Sequence, residues 1–171
     1  MFSIKRIIAY FIDYLIVLTY IGILIFISVF LFDSLAKDTS FISPVKGQLL
    51  GFFTLTLPVF FYFYLSERGK YGATLGKRIM KLKVIAVNPS QKKKVGLRNI
   101  LKFLPWEIAH TGIHWLFYYY HQQIELPVWI SILLILPQII VFAYLISVVK
   151  SKGKSSLYDH FSETKIVSSA T

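Results

Sequence analysis

The stretch IIAYFIDYLIVLTYIGILIFISVFLF, residues 7–32, decides the class of this chain. At ~1.5 Å rise per residue it forms a helix of ~39 Å, longer than the ~30 Å hydrocarbon core, so it can cross a bilayer with some tilt. Its only ionisable group apart from tyrosine hydroxyls is Asp13. A carboxylate in such a run costs about 2.5–3.5 kcal/mol near the centre and less near an end. Arg6 precedes Asp13 by two helical turns, so the two share a face and can pair at the headgroup boundary. Lys5 and Arg6 precede the run and Ser34-Leu35-Ala36 follows it, as in a signal peptide. The apolar stretch is nonetheless far longer than a signal core of ~7–15 residues, and it reads as an uncleaved first span.

The whole composition agrees. The 171 residues are 56% hydrophobic and 16% charged, where a soluble domain carries about 25% charged residues. Much apolar surface must therefore face lipid. The net charge of +11 reads as membrane orientation and anionic-lipid contact rather than nucleic-acid binding, because the basic residues flank apolar runs. The absence of cysteine excludes disulfides, thiolate metal sites and cysteine nucleophiles.

Two further runs, 48–66 and 127–149, are long and apolar enough to span. A fourth, 101–120, contains Glu107, His110 and His114. Lysine and arginine crowd the N-terminus, segment 67–102 and the tail after 149, and are sparse in 33–47. The positive-inside rule places the first three in the cytoplasm. Loop and tail share a side only if the chain crosses twice between them, so 101–120 is expected to cross as well. The expected fold is an all-α polytopic protein of the plasma membrane with four spans, both termini cytoplasmic. The loop 67–100 and the tail 150–171 form a small cap. Trp106, Tyr118–Tyr120 and Trp129 fall at span ends, as interfacial aromatics do. Pro58, Pro105 and Pro137 can open the helices and free carbonyls for a ligand or a neighbour.

Within the cap, residues 82–87 (LKVIAV) and 164–167 (TKIV) are β-rich, and a two-strand pairing would need support from elsewhere. Residues 168–171 read as a frayed end. Gly72-Ala73-Thr74-Leu75-Gly76-Lys77-Arg78 imitates a phosphate loop, but its glycines are one residue too close and Arg78 replaces the magnesium-binding hydroxyl. It reads instead as a glycine turn opening a basic amphipathic segment at the lipid surface.

Glu107, His110 and His114 lie on one helix face, the arrangement a metal site or proton relay requires. Three readings are open: metal binding, proton or ion handling, and hydrogen bonding between spans. Asp13 and Glu107 fall at similar depths, with His110 and Gln138 nearer the midplane, and these groups could converge on one polar pocket.

Three separated segments resemble one pattern. Arg6-x-x-Ala9-x-x-x-Asp13 is similar to the opening of the RDD family of small membrane proteins. Gly72-x-Thr74-x-Gly76-Lys77-Arg78 with Val84 and Arg98-Asn99 resembles that family's loop. Leu157-Tyr158-Asp159, followed by Thr164 and Val167, resembles its closing motif, with Tyr158 where His is common. The resemblance implies that Arg6, Asp13 and Asp159 are the name-giving residues, and transport is a recurrent suggestion for the family. A cap or ion pair with Arg78 or Arg98 is the simpler role for Asp159. Trp106-Glu107-x-x-His110 departs from the family pattern.

The leading expectation is transport or permeation of a small ion or solute by a homo-oligomer. Asp13 would bind the ion, Arg6 would be its counter-charge, and Glu107, His110 and Gln138 would extend the path. A non-transporting accessory, assembly or immunity-type factor contacting a partner membrane protein is the alternative. A metalloprotein resting on Glu107, His110 and His114 is the third. No other cofactor and no catalytic set is expected.

Overall fold

A computed structural model of the protein describes residues 2–35 and 43–169. Helix α1 covers Phe2–Leu35, α2 Pro44–Gly51, α3 Leu57–Arg68, α4 Leu75–Ile79, α5 Val95–Gln122, α6 Val128–Lys150 and α7 Leu157–Phe161. Strand β1 is Leu82–Ala86 and β2 is Thr164–Ser168. A π-helical turn, Phe52–Thr56, joins α2 to α3 without a break. Three helical segments are long and apolar enough to cross a membrane: Phe2–Phe30, Pro44–Arg68 and Val128–Lys150. Their outward surfaces carry large apolar side chains, among them Phe26 at 72% exposure and Phe142 at 64%. Such continuous apolar surface fits acyl chains rather than water. Ala36 and Lys37 and residues 170–171 lie outside the described residues.

The prolines act through their missing N–H groups. A proline frees the carbonyl four residues earlier. Pro58 frees Thr54 O, which accepts a hydrogen bond from the Tyr20 hydroxyl at 2.5 Å. Pro105 frees Leu101 O, which accepts from the Tyr144 hydroxyl at 2.9 Å. Both freed carbonyls thus go to neighbouring helices. The π turn ends at Thr56, two residues before Pro58, where the ladder register must slip.

Helix α5 packs along α6 and against α2 and α3. Gly112 allows the close approach: a Cβ there would lie 3.0 Å from Leu133 and Leu134. At the far end Trp129 meets Trp115 edge-on, with ring centroids 5.5 Å apart.

The cap contains the small sheet. Strands β1 and β2 pair antiparallel, with Leu82 opposite Ser168 and Ala86 opposite Thr164. Alternate residues Leu82, Val84 and Ile166 bury against Ala9 of α1, with Phe2 and Met80 beside them. Two isolated strands would be marginal, and α1 supplies the missing apolar face. The end does not fray at 168: the Ser169 amide donates to Lys81 O at 2.8 Å. The glycine-rich segment likewise differs from expectation. Helix α4 docks on α1 with Gly76 and Lys77 buried, rather than lying on the surface.

Candidate functional site

Five buried charges form a chain that joins α1, α3, α4, α5 and α7. Arg6 Nη2 lies 2.6 Å from Asp159 Oδ2. Arg98 bridges onward, with Nη1 2.9 Å from Asp159 Oδ1 and Nε 3.1 Å from Glu67 Oε2. Lys77 Nζ closes the chain on Glu67 Oε1 at 2.5 Å. Arg6, Glu67, Arg98 and Asp159 are fully buried, and Lys77 is 1% exposed. The Arg98 contacts are ionic rather than directional, since none of its N–H groups lines up on an oxygen as a hydrogen bond.

Neutral groups complete the shell. Arg6 donates to Gly153 O at 3.0 Å and to the Tyr10 and Tyr158 hydroxyls, which also bond each other. Asn99 Nδ2 donates to Glu67 Oε2 at 3.1 Å. Asp159 caps α7: its Oδ2 accepts from the Ser156 amide at 2.8 Å, and the Ser156 hydroxyl accepts from the Asp159 amide in return. Thr164 Oγ1 donates to Asp159 Oδ1 at 3.3 Å, which fixes β2 to the same carboxylate.

Burial works against the Asp159 charge, but Arg98 and then Arg6 outweigh it and hold the carboxyl below its usual range. A depressed carboxyl contributes stability that is complete above its unfolded value of about 3.9 and is lost as pH falls through the lower folded value. The cap should therefore hold down to about pH 4 and loosen only below it. Hydrogen exchange of the β1 and β2 amides across pH checks this, and loosening that begins near pH 6 would exclude it.

Arg6 and Asp13 are not partners. Asp13 is fully buried and accepts from three neutral donors: the Tyr62 hydroxyl at 2.9 Å, the Thr74 hydroxyl at 2.6 Å and the Gly76 amide at 2.9 Å. It clasps α4 to α1. Gly76 is required there because a Cβ would collide with Ala9 O and the Asp13 carboxyl. Arg78 leaves the ionic chain altogether: it stacks on Tyr71, 4.3 Å from the ring centroid, and donates to Ala73 O.

A second polar group lies on α5, α2 and the π turn. Glu107 accepts from Gln48 Nε2 at 2.9 Å and from the Thr56 hydroxyl. Thr56 in turn accepts from the Trp106 indole at 3.2 Å. His110 Nε2 and His114 Nε2 are 3.1 Å apart. Gly51 faces the His110 ring and Gly47 the His114 ring, so closely that no Cβ fits at either position. His110 Nδ1 and Gln48 Oε1 are buried with no hydrogen-bond partner among the described residues. Glu107 and Asp13 share no hydrogen-bond partner, so the two carboxylates belong to separate hydrogen-bonded groups. Gln138 belongs to neither, being exposed on α6. Among the described residues no group of three or more His, Asp or Glu side chains converges for a metal ion, so Glu107, His110 and His114 do not form a ligand set.

The RDD family model matches residues 3–169. The chain belongs to the RDD family. No curated protein and no solved structure matches it. In this RDD protein Arg6 and Asp159 form one ion pair, and Asp13 is a separate clasp on the loop motif. Of the loop and tail motifs, Lys77 touches Glu67, Thr164 touches Asp159, and Arg98 touches both carboxylates. Sequence reading missed Glu67, because an acid at the end of an apolar run flanked by Ser66 and Arg68 looks like an ordinary interfacial residue. It also missed Tyr10, Tyr62 and Lys102. The signal for Tyr10 was its spacing of four from Arg6, one helical turn on the same face.

Proposed function

We propose that this RDD protein is a four-span membrane protein that moves a proton or small cation, with Glu107 as its intramembrane carboxylate. The observation that carries the reading is the polar line on one face of α5. Thr56, Glu107 and Gln48 are joined by hydrogen bonds, and His110 and His114 continue the line toward the far end of the helix. Imidazoles exchange protons near neutral pH, and ionisable groups inside spans are functional by default. Two unpartnered buried polar atoms, His110 Nδ1 and Gln48 Oε1, are places for a transiently bound water or ion. The ionic chain of the cap supports this by contrast. Its carboxylates Glu67 and Asp159 are held by fixed cations, whereas Glu107, like Asp13, is held by neutral donors alone among the described residues.

The four-span topology rests on charge asymmetry together with α5 itself. Its 28 residues make ~42 Å of helix, enough to cross, and it packs along α6. Both ends and loop 67–100 are then cytoplasmic. An accessory role is the second reading, favoured by the exposed Lys92 and Lys94 at the loop tip, which suit anionic headgroups.

Purified protein in liposomes under an imposed pH or cation gradient tests the proposal. Flux is expected to fall at least ~10-fold in Glu107→Gln, a change equivalent to about 1.4 kcal/mol in barrier. In the same liposomes an impermeant thiol reagent should reach cysteines placed at 93 and 123 from opposite sides. Wild-type protein that passes neither protons, sodium nor potassium would favour the accessory role.

A further inference from the structure

We propose that a cavity between α1, α3 and α5 binds an amphiphilic organic anion, its negative head on Lys102 and its apolar body along Val17, Leu18 and Ile21. The cavity has a volume of about 270 Å³, and almost all of its lining is apolar. Lys102 and Phe63 bound it on one side, and Ile21 and Leu55 also line it. Tyr20, next to Ile21, donates to Thr54 O, next to Leu55, and so ties those two walls together.

Lys102 is the anomaly. Its ammonium nitrogen is buried and has no hydrogen-bond acceptor among the described residues. The group rests on the Phe63 ring, 3.2 Å from the centroid. A ring face offsets only part of the cost of taking an ammonium out of water. The surrounding charges do not complete the balance. Arg6, Lys77, Arg98 and Lys102 are four cations, against the three carboxylates Asp13, Glu67 and Asp159. Each carboxylate is already engaged: Asp13 by three donors, Glu67 by Lys77, Arg98 and Asn99, Asp159 by Arg6 and Arg98. This set, which leaves out Glu107, holds one basic group more than it has carboxylates, and the Lys102 side chain lines the cavity.

An uncompensated cation beside an apolar space is recognised by a molecule with one negative head and an apolar tail. A dry cavity of about 150 Å³ holds benzene, so this one accommodates a body of roughly ten carbons. A carboxylate with a medium acyl chain meets both requirements. The same head-and-tail chemistry is available from an anionic phospholipid of the bilayer or from a free amphiphile. The inference does not depend on ion flux through Glu107.

Trp106 lines the cavity and supplies the readout. The full chain is placed in zwitterionic phosphatidylcholine nanodiscs and titrated with 10-bromodecanoate, whose bromine quenches tryptophan on contact. The Trp106 share of the signal is the part lost in Trp106→Phe. Saturable quenching is expected, with 10-bromodecanol at least ten-fold weaker. Lys102→Met should weaken the acid at least ten-fold and abolish its advantage over the alcohol. Equal binding of acid and alcohol, non-saturating quenching, or an acid preference that survives Lys102→Met would overturn the proposal. Should Lys102→Met fail to fold, Ile21→Phe keeps the charge and fills the cavity. It is expected to remove the saturable quenching, and unchanged quenching overturns the site. Competition by added phosphatidylglycerol identifies the bilayer as the source of the anion. Retained binding without competition identifies a free carboxylate. Both outcomes support the site.

Discussion

Replacing Glu67 with alanine is expected to cost about 3–5 kcal/mol of stability, because it leaves buried cations without their counter-charge. Glu67 is the only contact between Lys77 of α4 and Arg98 of α5 among the described ion pairs. Its backbone carbonyl also accepts from Lys93 at 3.1 Å, but that bond survives any side-chain change. Two cations, both at most 1% exposed, would remain beside each other with only Asp159 to balance them. Unfolding in mixed micelles measures the loss, and low accumulation in the membrane should accompany it. Removing a cation together with the anion relieves the imbalance, so Glu67→Gln with Lys77→Met should recover at least half of the loss. A single-variant cost below about 1 kcal/mol would mean that water reaches Glu67, and the closed ionic chain would be wrong.

Asp13→Asn should cost about 3 kcal/mol, since charged hydrogen bonds of about 1.5–3 kcal/mol each are weakened or reversed at three donors. The new amide would point an N–H at the Gly76 amide or at a hydroxyl that now donates to Asp13. Gly76→Ala attacks the same clasp from the other side by pushing α4 off Ala9 O, at about 1–3 kcal/mol for overpacking. The two changes break one interaction, so the double variant should fall short of the sum by at least about 1 kcal/mol. Additivity within about 0.5 kcal/mol would show that Asp13 does not work through Gly76. The result also separates roles: a variant at Asp13 that loses function by losing α4 says nothing about ion binding, whereas Glu107→Gln leaves the cap contacts untouched.

Some of this architecture was legible because it depends on local chemistry. Apolar runs of bilayer length mark Phe2–Phe30, Pro44–Arg68 and Val128–Lys150 as helices whatever they pack against. The β-rich residues 82–87 and 164–167 suggested a two-strand pairing that needed outside support, and the register sets Val84 opposite Ile166. Helix ends ran beyond the apolar runs, as with Val95–Gln122 against 101–120, because polar turns continue a helix without changing its hydrophobic signature.

Partner choice was decided by the tertiary structure. Arg6 and Asp13 share a helix face two turns apart, and that spacing made them an expected pair. The fold instead brings Asp159, 153 residues away in sequence, within 2.6 Å of Arg6, and α4 onto Asp13. Helical periodicity states which residues face the same way, but not what arrives at that face. Glu107 and His110 show the same limit: their shared face was readable, while Gln48, Thr56 and the glycines that admit the imidazoles come from another helix. Sequence alone determined the membrane class and the long apolar helices, suggested the two strands, and marked Arg6, Asp13 and Asp159, but not Glu67, among the charges that burial engages. Only the packing of α3, α4, α5 and α7 with the start of α1 determined the pairs, because a buried charge takes whichever counter-charge the fold delivers.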